Sequence, residues 1–491
     1  MHKPGNLERV KNILLVVLFL STILLLYFYW ENLTLLNFKF PDFTQEHNEE
    51  TVPTVQEVMR PEEIVINFGG DAYTSLPTGN QELWNQGIQQ LKSFSKAHEV
   101  TIEPITEEKY QEVMGLRSIY YRFFYEIPFS SFCDRNGIDR VSAFDQVDTF
   151  SCLGYSTGSP ESLFLYDGKN DKYYRLAADQ DYTQFEALIA SVEQTGYTTY
   201  FPIGSLIGVS NRAIVPLVME SGLREVSYEP ERRTTESEET VAFAQTFFGE
   251  SFDFTRKITE SKGTVIYMYG YGQRVLTLNT DGSAEYKEEL SGNSQSLNFF
   301  ESLDLALSYV SSHGSWKTNK DDISSPYLKK AESLEKDKNR GYRFTFGFQA
   351  AGQDIFYESG EAMVVEVFGN RVIYYKRDRI QPDQEALVQQ ASAMPGSTRE
   401  AFFITNLLAM NYTYFKSVME EAGHTVEGDN QELIVDHIAE AIDHVEAGYM
   451  RKIPEGSQRE ALKPAWVVEI GEITFFFDLY DAAPLGYTVS K

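Results

Sequence analysis

Cysteine is nearly absent from this chain of 491 residues, which has two, Cys133 and Cys152. That is too few for a disulfide framework or for a zinc centre built mainly of thiolates. Basic residues are scarce relative to acids: 43 Lys and Arg stand against 72 Asp and Glu, a net charge of −29. Such a balance removes the long-range attraction to phosphate on which nucleic-acid binding depends. It also sets the bulk of the chain against lying on an anionic bilayer. Phosphate loops are missing, since no G-x-G-x-x-G opens a helix and no G-K-[ST] occurs. What remains is a composition that folds. Hydrophobic residues make up 42% and aromatics 14%, so disorder is confined to short stretches. At roughly 150 residues per domain, the length suits about three folded units.

One long apolar run is present. Ile13 to Trp30 is interrupted only by Ser21 and Thr22, and at about 1.5 Å per residue it reaches about 27 Å, enough for a bilayer core. Lys3, Arg9 and Lys11 precede it with one acid, Glu8, whereas Glu31, Asp42, Glu46, Glu49 and Glu50 follow it with a single base, Lys39. The positive-inside rule puts residues 1–12 in the cytoplasm and everything after residue 30 outside. The run ends in Tyr27, Phe28, Tyr29 and Trp30, an interfacial belt in place of a small-residue cleavage site, so it reads as an uncleaved signal anchor. Because the tail carries +2, the outer part carries −31. Ser21 and Thr22 are the small hydroxyl residues at which a neighbouring helix could approach closely, or they bond their own backbone. Outside the cell an oxidised Cys133–Cys152 pair is permitted, closing a loop of about 20 residues for about 3 kcal/mol. Two buried free thiols are the equal alternative.

Residues 31–60 are acidic, carry Pro41 and Pro53 and show no period, so they read as a linker. A strand over Glu63 to Phe68 closes on Gly69-Gly70, a helix follows over Gln81 to Lys96, and Ser118 to Phe129 is an aromatic strand. Leu163 to Tyr166 and Tyr173 to Leu176 form a hairpin, and Glu229 to Glu239, charged and free of aromatics, is the best boundary. Beyond it the chain alternates short strands with isolated helices over Phe299 to Ser312, Arg399 to Glu421 and Gln431 to Glu446. That pattern is α+β, with antiparallel sheets covered by helices. The units expected after the linker are 61–235, 238–330 and 338–491.

No catalytic constellation survives its context. Gly154-Tyr155-Ser156-Thr157-Gly158 matches G-x-S-x-G, yet a hairpin follows where a nucleophile elbow needs a helix. Ser93-Phe94-Ser95-Lys96 matches S-x-x-K without the S-D-N and K-T-G that accompany it. His437, Glu440 and His444 fall at i, i+3 and i+7 on one helical face, a spacing that could hold a divalent metal, but they lack H-E-x-x-H spacing and a fourth ligand. Asp167 to Asp171 is acidic like a calcium loop and lacks its glycine and its terminal glutamate. Asn32-Leu33-Thr34 and Asn411-Tyr412-Thr413 are formal glycosylation sequons. No catalytic, metal or cofactor site is expected.

The layout as a whole resembles the YycH family of Gram-positive bacteria. The features are a basic tail, one membrane helix, an acidic stalk and then Glu63-Ile64-Val65-Ile66-Asn67-Phe68-Gly69. Ser118-Ile119-Tyr120-Tyr121-Arg122-Phe123-Phe124-Tyr125-Glu126-Ile127-Pro128 is similar to that family's aromatic strand. Gly263 to Tyr267, Leu276 to Leu278, Leu303 to Val310, Tyr342 to Phe346 and Pro464 to Val468 resemble modules shared with its partner family, YycI, which makes the last two units YycI-like. The polar segment Asp321 to Arg340 departs from that pattern. The resemblance implies a protein without catalysis or cofactor, held in the cell membrane. It also implies partners: a YycI-like protein and the sensor histidine kinase YycG, also called WalK, whose output in cell-wall homeostasis it sets. A surface module that binds peptide or wall polymer is the competing expectation, and an extracytoplasmic hydrolase is the third.

Overall fold

The computed structural model describes residues 52–490 apart from 78–80, 98, 180–182, 229–236, 293–294, 314–315, 317–325, 351–352, 359, 379–398 and 453–459. The expected membrane run with Ser21 and Thr22 lies outside the described residues, as do the tail, most of the linker and most of the boundary at Glu229 to Glu239. Order begins before the first expected strand. Thr54 caps a helical turn, Val55–Val58, and Glu57 reaches back to the Thr54 amide, a reciprocal capping box. Val55, Val58, Met59 and Arg60, read from sequence as linker, are buried.

Nine strands form the first sheet: β1 (Glu63–Asn67), β2 (Tyr73–Pro77), β3 (Val100–Ile105), β4 (Ser118–Pro128), β5 (Thr149–Ser156), β6 (Ser162–Asp167), β7 (Lys172–Ala178), β8 (Tyr200–Pro202) and β9 (Ile214–Pro216). Their spatial order is β3-β7-β6-β5-β4-β1-β2-β8-β9. Every pairing is antiparallel. Side chains alternate between faces along a strand, and this decides what the sheet presents. Ile64, Tyr121, Leu153 and Leu165 are cross-strand neighbours on one face. They join Trp84, Leu91, Phe132 and Ile189 from the helices Gln81–Ser95, Phe129–Asn136 and Thr183–Thr195 in the main core. Glu63, Arg122 and Cys152 are neighbours on the other face, where the helix Glu107–Met114 packs Tyr110, Val113 and Met114 on Phe164.

The remaining strands are β10 (Glu220–Ser221), β11 (Val226–Tyr228), β12 (Arg256–Thr259), β13 (Val265–Tyr269), β14 (Arg274–Leu278), β15 (Ala284–Glu288), β16 (Pro326–Lys336), β17 (Asn339–Ala350), β18 (Gln353–Phe356), β19 (Met363–Phe368), β20 (Arg371–Arg377), β21 (Arg399–Glu400), β22 (His444–Lys452), β23 (Glu460–Ile470), β24 (Ile473–Asp478) and β25 (Pro484–Val489). All but the β10–β21 pair belong to a fourteen-stranded sheet. Its path is β12-β13-β14-β15-β20-β19-β17-β18-β22-β23-β24-β25, with β11 on β23 and β16 on β17. The architecture is α+β with antiparallel sheets, apart from one parallel contact between β18 and β22. β15 pairs with β20, so one sheet crosses the division expected between 330 and 338. The polar segment Asp321 to Arg340 holds a long hairpin, with Lys336 opposite Asn339. The helix expected from Arg399 starts at Ile404, and the one expected to reach Glu446 stops at Glu440.

The two sheets share their interior. One hydrophobic cluster runs from Val55 through Ile64 and Tyr121 to Phe344, Phe346 and Leu462. A second joins Ile203 and Val215 to Phe415, Phe475 and Phe477, with the Phe415 ring 4.6 and 5.0 Å from the latter two. Between the sheets lies a polar clamp. Arg60, 6% exposed, donates to Gln349 Oε1 at 3.1 Å and stands over the Tyr327 ring. Gln349 donates to Asp354 Oδ1 at 2.8 Å, and Tyr327 donates its hydroxyl to the same carboxylate. Burying this set without its partners would be costly.

Residues 52–491 form one compact unit, so its urea unfolding is expected to be a single cooperative transition. Arg60→Ala, which takes the donor from buried Gln349 Oε1 and the positive charge from beside Asp354, should lower its stability by about 2–3 kcal/mol. Two separated transitions, with only one moved by Arg60→Ala, would show that the sheets fold independently.

Candidate functional site

The motif residues singled out in sequence do not assemble. Ser156 is fully buried at the end of β5, donates to the Val113 carbonyl at 2.6 Å and accepts from the Gly158 amide. It is held as a turn residue, and β6 follows where an elbow would need a helix. Lys96 is exposed just past the end of its helix. His437 lies in the last turn of the helix Gln431–Glu440, whereas His444 opens β22, so the expected His437, Glu440 and His444 face does not form. Among the described residues no group of three or more His, Cys, Asp or Glu is arranged to hold a metal ion. Asp167 is buried and accepts from Thr149 Oγ1, the Asn170 amide and Asn170 Nδ2, which builds a hairpin turn. Asn411 is buried and spends Nδ2 on the Leu407 and Ala482 carbonyls, closing that sequon to a glycan.

Cys133 and Cys152 are both free and buried. Cys133 belongs to the main core with Leu153. Cys152, one residue before Leu153, faces the opposite side of the sheet, 3.7 Å from the Tyr110 hydroxyl. A sheet therefore separates the two sulfurs, and the disulfide weighed from their spacing is not the arrangement found. Burial pushes the Cys152 thiol up to about 11 and the Cys133 thiol up to about 12. Neither is an activated nucleophile.

What the fold does bring together starts at β1. Ile64 and Ile66 bind that strand to the core, which turns Glu63 to the other face, against Arg122. The Glu63 Oε2 to Arg122 Nη1 distance is 3.0 Å, and Glu63 Oε1 accepts from Ser75 Oγ at 2.7 Å. Burial would raise the Glu63 carboxyl, but Arg122, His444 and the Ser75 hydrogen bond outweigh it and hold the group below the usual range. Glu62, one residue earlier, accepts from the Phe124 amide at 3.1 Å. Burial drives its carboxyl well above the usual range, and Asp354 adds to that.

Two spaces open from this pair. Toward the second sheet, a cavity of about 380 Å³ is lined by Glu62, Glu63, Tyr200, His444 and Glu446 among others. His444 stands edge-on to Phe124, with ring centroids 5.2 Å apart, and lies 3.8 Å from Glu446. The Glu446 carboxyl is raised well above the usual range by burial, with Asp354, Glu469 and Glu63 adding to the rise and Lys329 opposing it. On the other side, a cleft of about 870 Å³ has Arg122 and Cys152 on its floor. The helix Glu107–Met114 makes one wall and residues from Pro202 to Ile214 make the other. Tyr73, Tyr110, Tyr120, Tyr166 and Tyr173 line it. Sequence reasoning passed over Arg122, Glu63 and Glu446. An arginine inside an otherwise aromatic strand was the available signal for the first.

These two sheets over a shared core make an α+β protein of YycH-like fold, the fold that the sequence resemblance implies. The solved structure that carries this likeness is the crystal structure of YycH from Bacillus subtilis. It has 13% identity and a TM-score of 0.51, over 87% of this chain and 97% of that one. The Bacillus megaterium YpeB C-terminal domain also matches, at 10% identity and a TM-score of 0.25, over 52% of this chain and 98% of that one; no argument rests on it. No protein-family model matches the chain, and no curated protein matches it.

The raised carboxyls set a pH dependence. Glu62 and Glu446 keep protons in the folded chain over a pH range in which they lose them when unfolded, so their contribution to stability is fully present below the ordinary glutamate range and is lost as pH rises toward their raised values. Glu63 acts in the opposite sense, because its contribution is present at neutral pH and is lost as pH falls through its lowered value. Glu446→Gln is expected to stabilise the protein by on the order of 1 kcal/mol at about pH 8 and to change little at about pH 4. Equal effects at the two pH values in urea unfolding would contradict this.

Proposed function

We propose that this chain is a membrane-anchored, extracytoplasmic regulator of a sensor histidine kinase of the YycG (WalK) type. It works by contact with the kinase and a YycI-like protein and without catalysis. The observation that carries this reading is a YycH-like fold that extends over 87% of the chain and 97% of the YycH structure. The sequence supports it, with one apolar run at Ile13 to Trp30 flanked by the charge asymmetry of a cytoplasmic N-terminus. A regulator at the outer surface needs a stable body and a membrane helix that can meet other helices. Ser21 and Thr22 are the positions in that run which permit close helix approach. The acidic exterior suits a body held off anionic surfaces, with screening limiting the effect to about 8 Å. The second reading, a module that binds a small ligand or polymer outside the cell, is favoured by the cleft above Arg122.

The test is chemical crosslinking in intact membranes followed by purification of the full chain in detergent. Recovery of a sensor histidine kinase and a YycI-like protein at roughly stoichiometric levels is expected. Recovery of wall fragments with no kinase would replace this reading with the second.

A further inference from the structure

The ion pair at the cleft floor holds a cation in place without using it up. Glu63 meets Arg122 through Nη1, and the second Glu63 oxygen is occupied by Ser75. Both partners sit on neighbouring central strands, with Glu63 opposite Arg122 in register. The Arg122 guanidinium lies 5.5 Å from the centroid of the Tyr120 ring, which limits its swing. Glu63 is 4% exposed at its side chain, whereas Arg122 is 35% exposed, and the open side of Arg122 is the cleft. A guanidinium carries five N–H donors in a planar fork, so most of this fork remains for a ligand. Carboxylate and phosphate are the anions that match such a fork.

Charge count narrows the class further. Arg212, the other cation of the lining, donates to Gln111 Oε1 and shares a smaller cavity with Glu107, Glu108 and Glu112. Asp71 is engaged by the Ser205 hydroxyl, which donates to it at 3.0 Å. Arg122 and Arg212 are offset by Glu63 and Asp71, so a bound anion adds its own charge to a neutral floor beside this acidic rim, and a doubly charged phosphate adds twice what a single carboxylate does. The walls indicate the rest of the molecule. Tyr110 and Tyr166 pack on Tyr173, with ring centroids 4.8 and 4.7 Å apart. Gln111, Ser151 and Ser205 add polar groups around this aromatic wall. A sugar ring offers C–H faces to aromatic rings and hydroxyls to such a rim. The volume of about 870 Å³ lies in the usual range for small-molecule sites. The thiol of Cys152 is suppressed, so the chemistry of the cleft is reversible binding.

We propose that the cleft is a binding site for an acidic sugar of one or two rings, whose carboxylate docks on Arg122. The proposal stands apart from the kinase reading, because its test contains no kinase. Isothermal titration of the full chain in detergent uses three probes: N-acetylmuramic acid, which has ring and carboxylate; N-acetylglucosamine, which has the ring alone; and lactate, which has the carboxylate alone. N-acetylmuramic acid is expected to bind at least about tenfold more tightly than either of the others. Arg122→Lys keeps a cation beside Glu63 and gives up the planar fork, and Ser205→Trp fills the mouth from an exposed position. Both should reduce that affinity by about tenfold or more while leaving the melting temperature within a few degrees. Equal affinity for the three probes, no binding, or unchanged affinity in both folded variants would overturn the proposal.

Discussion

Glu63 is buried and ionised, and the arrangement of the protein around β1 follows from keeping it so. A carboxylate taken out of water needs a fixed opposite charge and a hydrogen bond. Arg122 supplies the first from the adjacent strand and Ser75 supplies the second from the other side. The two residues are held by the apolar neighbours that alternate with them, Ile64 and Ile66 on β1 and Tyr121 and Phe123 on β4, all in the main core. Immediately before β1 the chain meets the second sheet, where Arg60 reaches Gln349 and Glu62 lies near Asp354. Within four residues, the same segment fixes the floor of the cleft, the wall of the smaller cavity and the seam between sheets. Movement of either sheet would have to disturb buried charge.

Much of this was legible from residues alone. β1, β4 and the β6–β7 hairpin were readable because their alternation or their turn residues are strong, and the helix Phe299–Ser312 because its apolar stripe is continuous. β16 was hidden: most of its residues are half-exposed or exposed, so Pro326 to Lys336 reads as a polar insertion although it pairs along its length with β17. β22 was hidden for another reason. Ile438, Ala441, Ile442 and Val445 continue a helical spacing past the true end at Glu440, and the turn to a strand is set by pairing with β23. Such long-range pairing leaves no local mark. The ion pair was equally invisible, because Glu63 and Arg122 are distant in sequence and meet only through register.

Charge takes on two roles that net composition does not separate. Most of the acidic residues in the described part face solvent, where like charge repels anionic surfaces. A few, Glu62, Glu63 and Glu446, are withdrawn to the seam, where burial and the charges of Asp354, Arg122, Lys329 and His444 set their protonation. The sequence resemblance and the YycH-like fold support the proposed regulator, and the proposed site in the cleft would let it receive a small molecule.

The central claim is that this protein alters a kinase across a membrane. Its most direct test is the autophosphorylation rate of the YycG-type kinase in proteoliposomes with the YycI-like protein, measured with and without the full-length chain. The account predicts a clear change in rate when the chain is present, and loss of that change when Ile13 to Trp30 is replaced by an unrelated apolar span. An identical rate with and without the chain, at saturating amounts of correctly oriented protein, would contradict it.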